Sequence, residues 1–257
     1  MSFNIHHGAD DDDDLDLAAI ARDIRASGAD IIGLQEVDRH KPRSDFVDQS
    51  AWLARHLGMY FAYGANVDRP PKKGQTKRRQ YGTAVLSKYK IVSSRNYLLR
   101  NVRYDKDPSQ QRGLLETVID LGGVQLRFYN THLDHRRAEQ RRQQIKQVVA
   151  IAGASDLPAV LAGDFNTIPG TPEMHQVTTR FLDAFAERGQ DAAYSFPSEH
   201  PSRRIDYILA SGRFQVHGAS VIDTDSSDHR PVVADLTLLV PHFATSTPLV
   251  GPPPVWF

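Results

Sequence analysis

An α/β domain of two packed sheets with helices outside is the fold class that this sequence predicts, and three observations predict it. Short apolar runs of strand length alternate with segments of helical spacing in both flanks of the chain. Between about Tyr60 and Tyr129 the pattern changes to successive strands with turns and no helical period. The 257 residues are 40% hydrophobic and 24% charged, which suits one substantial core, and no linker-like stretch divides them.

The elements follow in order. Ser2 to Ile5 reads as a short buried strand that stops at His6-His7-Gly8. Leu17, Ile20 and Ile24 recur at helical spacing behind a crowd of acidic residues, and Gly28 closes that helix. Asp30-Ile31-Ile32-Gly33-Leu34 is nearly continuous in apolar character, so it is expected to be a buried strand with Gln35-Glu36 at its tip. Phe46, Ser50, Leu53 and Leu57 mark a second helix, closed by Gly58. Strands are then expected over 59–63, 82–87, 91–98, 114–121 and 124–130, with Gly122-Gly123 as a hairpin signal. Ile145, Val148 and Ala152 restore helical spacing, and strands return over 158–162, 205–210, 215–222 and 232–239. Residues 1–240 are thus expected to form one domain, and the proline-rich residues 241–257 an extended tail.

Composition excludes several classes. Lys+Arg and Asp+Glu are both 31, which disfavours a protein held to nucleic acid by bulk charge. Without cysteine, disulfides, thiolate metal sites and cysteine nucleophiles are excluded. No apolar run approaches membrane-spanning length and no signal-like segment follows Met1, so the chain is expected to be soluble, monomeric and cytoplasmic rather than secreted, without stable membrane insertion. Asp10 to Asp14 is a run of aspartates, either a solvated loop that caps the helix after it or an auxiliary cation site. Lys72, Lys73, Lys77, Arg78 and Arg79 make a basic loop, either mobile and solvated or phosphate-gripping.

Chemistry-bearing residues lie where strands end. In Gly163-Asp164-Phe165-Asn166-Thr167 an Asp and an Asn two apart leave one strand end together. One can take a proton from water while the other donates to the oxyanion that the water attacks. Glu36 at the tip of an apolar run costs desolvation energy unless something positive compensates it, and a hard dication such as Mg²⁺ or Mn²⁺ would do so. Asn4 is either an amide of that ligand shell or a strand-terminal hydrogen bonder, and His132, at another polar strand tip, is either structural or catalytic. Asp206 faces the side opposite Ile205, where it pairs either with a neighbouring arginine or with a functional group. In Ser227-Asp228-His229-Arg230-Pro231 adjacent side chains diverge, so Asp206 is better placed than Asp228 to orient His229. Arg112 precedes an apolar strand, and Arg137 and Arg141 share a helical face that meets either a phosphate or water.

Asn4, Leu34-Gln35-Glu36-Val37, Thr131-His132-Leu133, Gly163-Asp164-Phe165-Asn166, Arg204-Ile205-Asp206-Tyr207 and Ser227-Asp228-His229-Arg230-Pro231 resemble, in order and rough spacing, the motifs of the endonuclease/exonuclease/phosphatase superfamily. That superfamily includes pancreatic deoxyribonuclease, abasic-site endonucleases, inositol polyphosphate phosphatases and neutral sphingomyelinases. The resemblance spans residues 4 to about 237. It implies a four-layer α/β sandwich of the deoxyribonuclease type, with two central, mainly antiparallel β-sheets flanked by helices. It also implies a hydrolase that uses Mg²⁺ (or Mn²⁺) to cleave a phosphodiester by in-line attack of water. By the same resemblance Glu36 is the principal metal ligand, with Asn4 nearby and Asp228 on the metal side. Asp164 orients or deprotonates the water, Asn166 holds a phosphoryl oxygen, His229 with Asp206 acts as base or electrostatic stabiliser, and His132 assists the leaving oxygen. Arg112, Arg137 and His6 are the candidates for substrate contact. His6 stands where abasic-site endonucleases carry an acid, so either the site holds one metal or His6 substitutes at lower charge. Nucleic acid, a phospholipid head group and a small phosphomonoester all remain as substrates, and a non-catalytic nucleic-acid-binding scaffold is the alternative from another class.

Overall fold

The computed structural model describes residues 1–102 and 108–239, so the expected tail at 241–257 lies outside the described residues. Twelve strands run in chain order as β1 (Ser2–Asn4), β2 (Ile31–Arg39), β3 (Tyr60–Arg69), β4 (Arg79–Ser87), β5 (Lys90–Leu98), β6 (Gly113–Asp120), β7 (Gln125–His132), β8 (Ala159–Asp164), β9 (Leu182–Asp183), β10 (Asp206–Ala210), β11 (Phe214–Val221) and β12 (Val232–Leu238). The α-helices are α1 (Leu17–Ser27), α2 (Gln49–Leu57), α3 (Ala138–Ala152) and α4 (Pro172–Thr178).

The strands form two six-stranded sheets, ordered β11-β12-β1-β2-β4-β3 and β5-β6-β7-β8-β10-β9. Each sheet is antiparallel except for one parallel pair, β1–β2 in the first and β7–β8 in the second. Alternate residues of the central strands are buried on opposite faces, which explains their nearly continuous apolar sequence. In β7 and β8, Phe128, Val160 and Ala162 pack between the sheets, whereas Tyr129 and Leu161 pack under α3 and α4. Phe3, Ile32 and Leu34 of the first sheet pack beneath Ile20, Ile24 and Leu53 of α1 and α2. The result is helix, sheet, sheet, helix: the four-layer α/β sandwich.

Polar side chains also cross the central layer, Asn130 at its middle and Asn96, which donates to the Ala65 carbonyl at 3.0 Å, between β5 and β3. Asn130, fully buried on β7, donates to the carbonyls of Leu34 and Ala84 at 2.8 Å each and accepts from Gln35 Nε2 at 2.7 Å. It satisfies its own amide while fixing the second sheet against the first.

Four details depart from expectation. Glu36 does not end its strand: β2 runs on to Arg39, and one extra residue between Leu34 and Val37 makes a bulge at which Glu36 takes φ 58°. Phe46, also at positive φ, precedes α2 rather than belonging to it, because Asp48 caps that helix by accepting from Ala51 N. The aspartate run does not cap α1; Asp16 does, accepting from Ala19 N at 2.9 Å. Asp16→Ala should therefore lower stability by about 1 kcal/mol in chemical denaturation without changing the slope of the transition. Helix α4 and the two-residue β9 were not anticipated, since each is too short for a periodic signal.

Candidate active site

The parallel pair β7–β8 places His132 opposite Asp164, and the antiparallel pair β8–β10 places Asp206 opposite the same Asp164. Three polar residues therefore emerge side by side from the ends of three neighbouring strands. Gly163 makes this packing possible. A β-carbon there would stand 2.1 Å from the backbone oxygen of Thr131, and the residue takes φ 153°. Across the cleft, β1 contributes Asn4 and the β2 bulge contributes Glu36, while the loop before β12 brings Asp228 and His229.

Asp164 Oδ2 is the hub. Asn4 Nδ2 donates to it at 3.1 Å, and Nε2 of His132 and Nε2 of His229 lie 3.4 and 3.8 Å away. Asp164 Oδ1 accepts from the backbone N–H of Asn166 at 2.9 Å, which closes the turn and aims the Asn166 side chain into the cleft. Asn166 Nδ2 donates one hydrogen to the Leu133 carbonyl at 3.2 Å and keeps a second. His229 Nδ1 is bonded to Asp206 Oδ2 at 2.9 Å, and the same oxygen accepts from Ser195 Oγ at 2.7 Å. Asp206 is thus the carboxylate that orients His229, while its neighbour Arg204 pairs with Asp183 and Asp191.

These groups perturb one another. Burial, and after it the charge of Asp206, pushes the Asp164 carboxyl up to about 7. Burial would lower His229, but the charge and hydrogen bond of Asp206 overcome that and raise it to about 10. His132 is held well below its ordinary range by burial and by the Arg112 guanidinium, so it is neutral. Arg112 Nη1 meets His132 Nδ1 at 3.0 Å, which makes that nitrogen the acceptor and leaves the proton on Nε2, facing Asp164.

Two further carboxylates line the opposite rim. Glu36 and Asp228 offer carboxylate oxygens there, and burial raises the Asp228 carboxyl, with Glu36 adding repulsion. Asn4 presents its nitrogen, not its oxygen, to this cluster: Nδ2 faces Glu36 Oε1 at 3.4 Å, while Oδ1 accepts from the backbone N–H of His6. Asp164, Asp206 and His229 also lie close enough to hold an ion, but His229 Nδ1 is engaged by Asp206, so the charge between those carboxylates is that of the imidazole itself.

Of the residues expected at substrate, Arg112 lines the cleft. Arg137 does not: it precedes α3, and its Nη1 donates to Ser109 Oγ, while Arg141 donates to the Asp134 carbonyl. His6 is likewise outside the cleft lining, its Nδ1 at 3.1 Å from the Asp10 carbonyl. The basic loop is exposed and adds nothing to the lining; Arg78 pairs with Asp68. Arg43, Tyr81, Gln110, His135, Phe196 and Arg203 line the cleft and were missed. Arg43 is positioned by the buried Asp38, which it grips through Nε and Nη2 at 2.7 and 3.1 Å, a pairing without a sequence signature. Arg203 lies over the Phe196 ring at 4.7 Å, and Phe196 packs on His229. The only signal for Arg203 was its adjacency to the Arg204-Ile205-Asp206 motif, and Phe196 had none.

The chain belongs to the Endonuclease/Exonuclease/phosphatase family, whose model matches residues 1–229. Members of this family are phosphoesterase hydrolases, commonly with divalent metals. Among solved structures, an endonuclease/exonuclease/phosphatase from Beutenbergia cavernae is 28% identical with a TM-score of 0.74, covering 92% of this chain and 70% of that one. The mannosyl-6-phosphatase of Bacteroides thetaiotaomicron shares the fold at 20% identity and a TM-score of 0.72, covering 92% and 98%. Among curated proteins, protein cwh43 of Schizosaccharomyces pombe is 27% identical over 162 residues, 63% of this chain but only 15% of that relative's length. No described helix is long and apolar enough to cross a membrane.

Proposed function

We propose that this protein is a divalent-metal-dependent phosphoesterase that hydrolyses a phosphodiester by in-line attack of water. The observation that carries this reading is the convergence on Asp164 Oδ2 of Asn4 from one sheet, His132 from the other, and His229 from the loop before the last strand, each within 3.8 Å. Glu36 and Asp228 would hold Mg²⁺ or Mn²⁺, with Asn4 linking Glu36 to Asp164 through its amide nitrogen. The ion would supply charge to neutralise the phosphoryl oxygens.

The side chains divide the remaining work. Asp164 accepts the proton of the attacking water, since His229 is held between two carboxylates and serves as a cation. Asn166 uses its second amide hydrogen on a phosphoryl oxygen. His132 would assist the leaving oxygen with the proton that Arg112 fixes on Nε2, the nitrogen that here faces Asp164. Asn166→Ala should lower turnover roughly 10²- to 10³-fold, the usual effect of removing one oxyanion donor. A non-catalytic nucleic-acid binder would be indifferent to that change.

A second reading, hydrolysis of a small phosphomonoester, is favoured by two cleft arginines. Among the described residues, neither Arg112 nor Arg203 has a carboxylate partner, and a dianionic phosphate would use both charges. Initial rates on bis-(p-nitrophenyl) phosphate and p-nitrophenyl phosphate, with Mg²⁺ and with EDTA, separate the two. Preference for the diester supports the first reading. Preference for the monoester supports the second, and rates unaffected by EDTA reject the metal in both.

A further inference from the structure

Beside the cleft, in the turn between β1 and α1, stands a cluster that the phosphoesterase chemistry leaves unused. His6 Nε2 and His7 Nε2 lie 3.9 and 3.6 Å from the same oxygen of Asp13, and the two imidazole rings are 4.5 Å apart. One ligand atom from each residue falls within 4.8 Å of the others. The aspartate run is folded so as to bring Asp13 back: Ala9 and Leu15 pair across it, and Asp10 Oδ1 accepts from the backbone N–H of both Asp12 and Asp14 at 3.0 Å.

His7 gives the cluster its meaning. Its side chain is 8% exposed, its Nδ1 is buried without a partner, and Asp13 at 3.6 Å is the nearest polar group to Nε2 that stands in ion-pair reach. A buried imidazole with no hydrogen bond costs on the order of 1–3 kcal/mol of desolvation. The nitrogen without a partner is Nδ1, and Nε2 is the one that faces Asp13 and is open to an ion. His6 is prepared in the complementary way, because its Nδ1 donates to the Asp10 carbonyl at 3.1 Å when Nε2 carries a lone pair. That is the arrangement by which ligating histidines are oriented through their other nitrogen. Burial, followed by the charges of Arg43 and His6, pushes His7 down to about 4, so it is neutral at ordinary pH.

We propose that His6 Nε2, His7 Nε2 and the Asp13 carboxylate form a zinc site, distinct from the oxygen-rich rim at Glu36 and Asp228. Two imidazole nitrogens with one carboxylate suit Zn²⁺ and neighbouring late transition metals rather than Mg²⁺ or Ca²⁺. A tetrahedral ion with bonds of ~2.0–2.1 Å sets its ligand atoms ~3.3–3.4 Å apart. The two imidazole-to-carboxylate spacings, 3.9 and 3.6 Å, exceed this by up to about 0.6 Å and all three ligand atoms lie within 4.8 Å of one another, so the site must contract, and Asp13, 76% exposed, is the side chain with room to do so. Water takes the remaining position. Occupancy ties the aspartate loop to the turn whose backbone holds Asn4, since His6 N donates to Asn4 Oδ1 at 3.1 Å.

The test is Co²⁺ and Zn²⁺ titration of the chelator-stripped protein in a large excess of Mg²⁺, read by the visible absorption of four-coordinate cobalt and by calorimetry. One ion per chain is expected, with tetrahedral cobalt bands that Zn²⁺ abolishes. Asp13→Asn keeps the left-handed backbone that Asp13 adopts at φ 64°, so it preserves the loop. It should weaken binding at least ~10-fold, the scale reached by losing even a supporting hydrogen bond at a metal site. His6→Gln should do the same, and Glu36→Gln should leave this affinity unchanged while affecting the cleft. Binding that follows Glu36 and ignores Asp13 and His6 would overturn the zinc site, as would no uptake in excess Mg²⁺.

Discussion

Asp164→Asn should lower turnover roughly 10²- to 10⁴-fold, the range contributed by one positioned proton acceptor, while making the metal-free protein more stable. The two effects share one cause. Asp164 is 1% exposed, and burial with the neighbouring Asp206 charge raises its carboxyl to about 7. A carboxyl raised in the folded state binds its proton more tightly there than in the unfolded chain, so folding loses stability as pH climbs from about 4 to about 7. The amide removes that loss. Thermal melts with EDTA should therefore show Asp164→Asn above the native protein at pH 8 and close to it at pH 4, with the turnover assayed in Mg²⁺. A variant that hydrolyses at the native rate, or that is less stable at pH 8 than at pH 4 by the native margin, would remove Asp164 from the centre of the site.

Gly163→Ala is the second large effect, and it acts through backbone alone. The added methyl would sit 2.1 Å from the Thr131 oxygen on β7, and the φ of 153° is one that side chains rarely adopt. Overpacking and backbone strain each cost about 1–3 kcal/mol, so the combined loss should be roughly 2–6 kcal/mol in chemical denaturation. Thr131 lies opposite Gly163 in the β7–β8 register, and the next pair along is His132 with Asp164. Relief of the clash separates those two side chains, so the folded fraction should also lose most of its turnover. Gly212→Ala is the control, since nothing lies within 4 Å of a β-carbon there, its φ is not in the left-handed region, and it does not line the cleft. Equal stability for the two variants would contradict the close approach of β7 and β8.

The sequence made the strands of the core legible because burial on both faces leaves them almost wholly apolar, as in Ile31 to Leu34 or Ala159 to Ala162. It made the polar ends of those strands legible for the same reason: Asp164 and His132 are conspicuous after runs that exclude polar groups. Glu36 was visible as a residue but not as a bulge, because the extra residue is defined only by its pairing with β4. Arg43, His135 and Arg203 were invisible as site residues. They reach the cleft from loops, where no periodicity reports direction, and arginines are as common on solvated surfaces as in pockets. The cap of α1 was misplaced among its acidic neighbours, since six aspartates between Asp10 and Asp16 are chemically alike and only geometry chooses one.

The order of strands in the sheets also bears on how the protein is made. Every strand of the second sheet, β5 to β10, comes from one uninterrupted stretch of chain, whereas the first sheet joins β1 to β12 across almost the whole sequence. As the polypeptide leaves the ribosome, the stretch that forms the second sheet is complete while β1, already beside β2, still lacks β12. His229 and Asp228 arrive with that neighbour. A chain that stops short of β12 therefore holds His132 and Asp164 but not Asp228 and His229, and the cluster around Asp164 is complete only when that strand has been made.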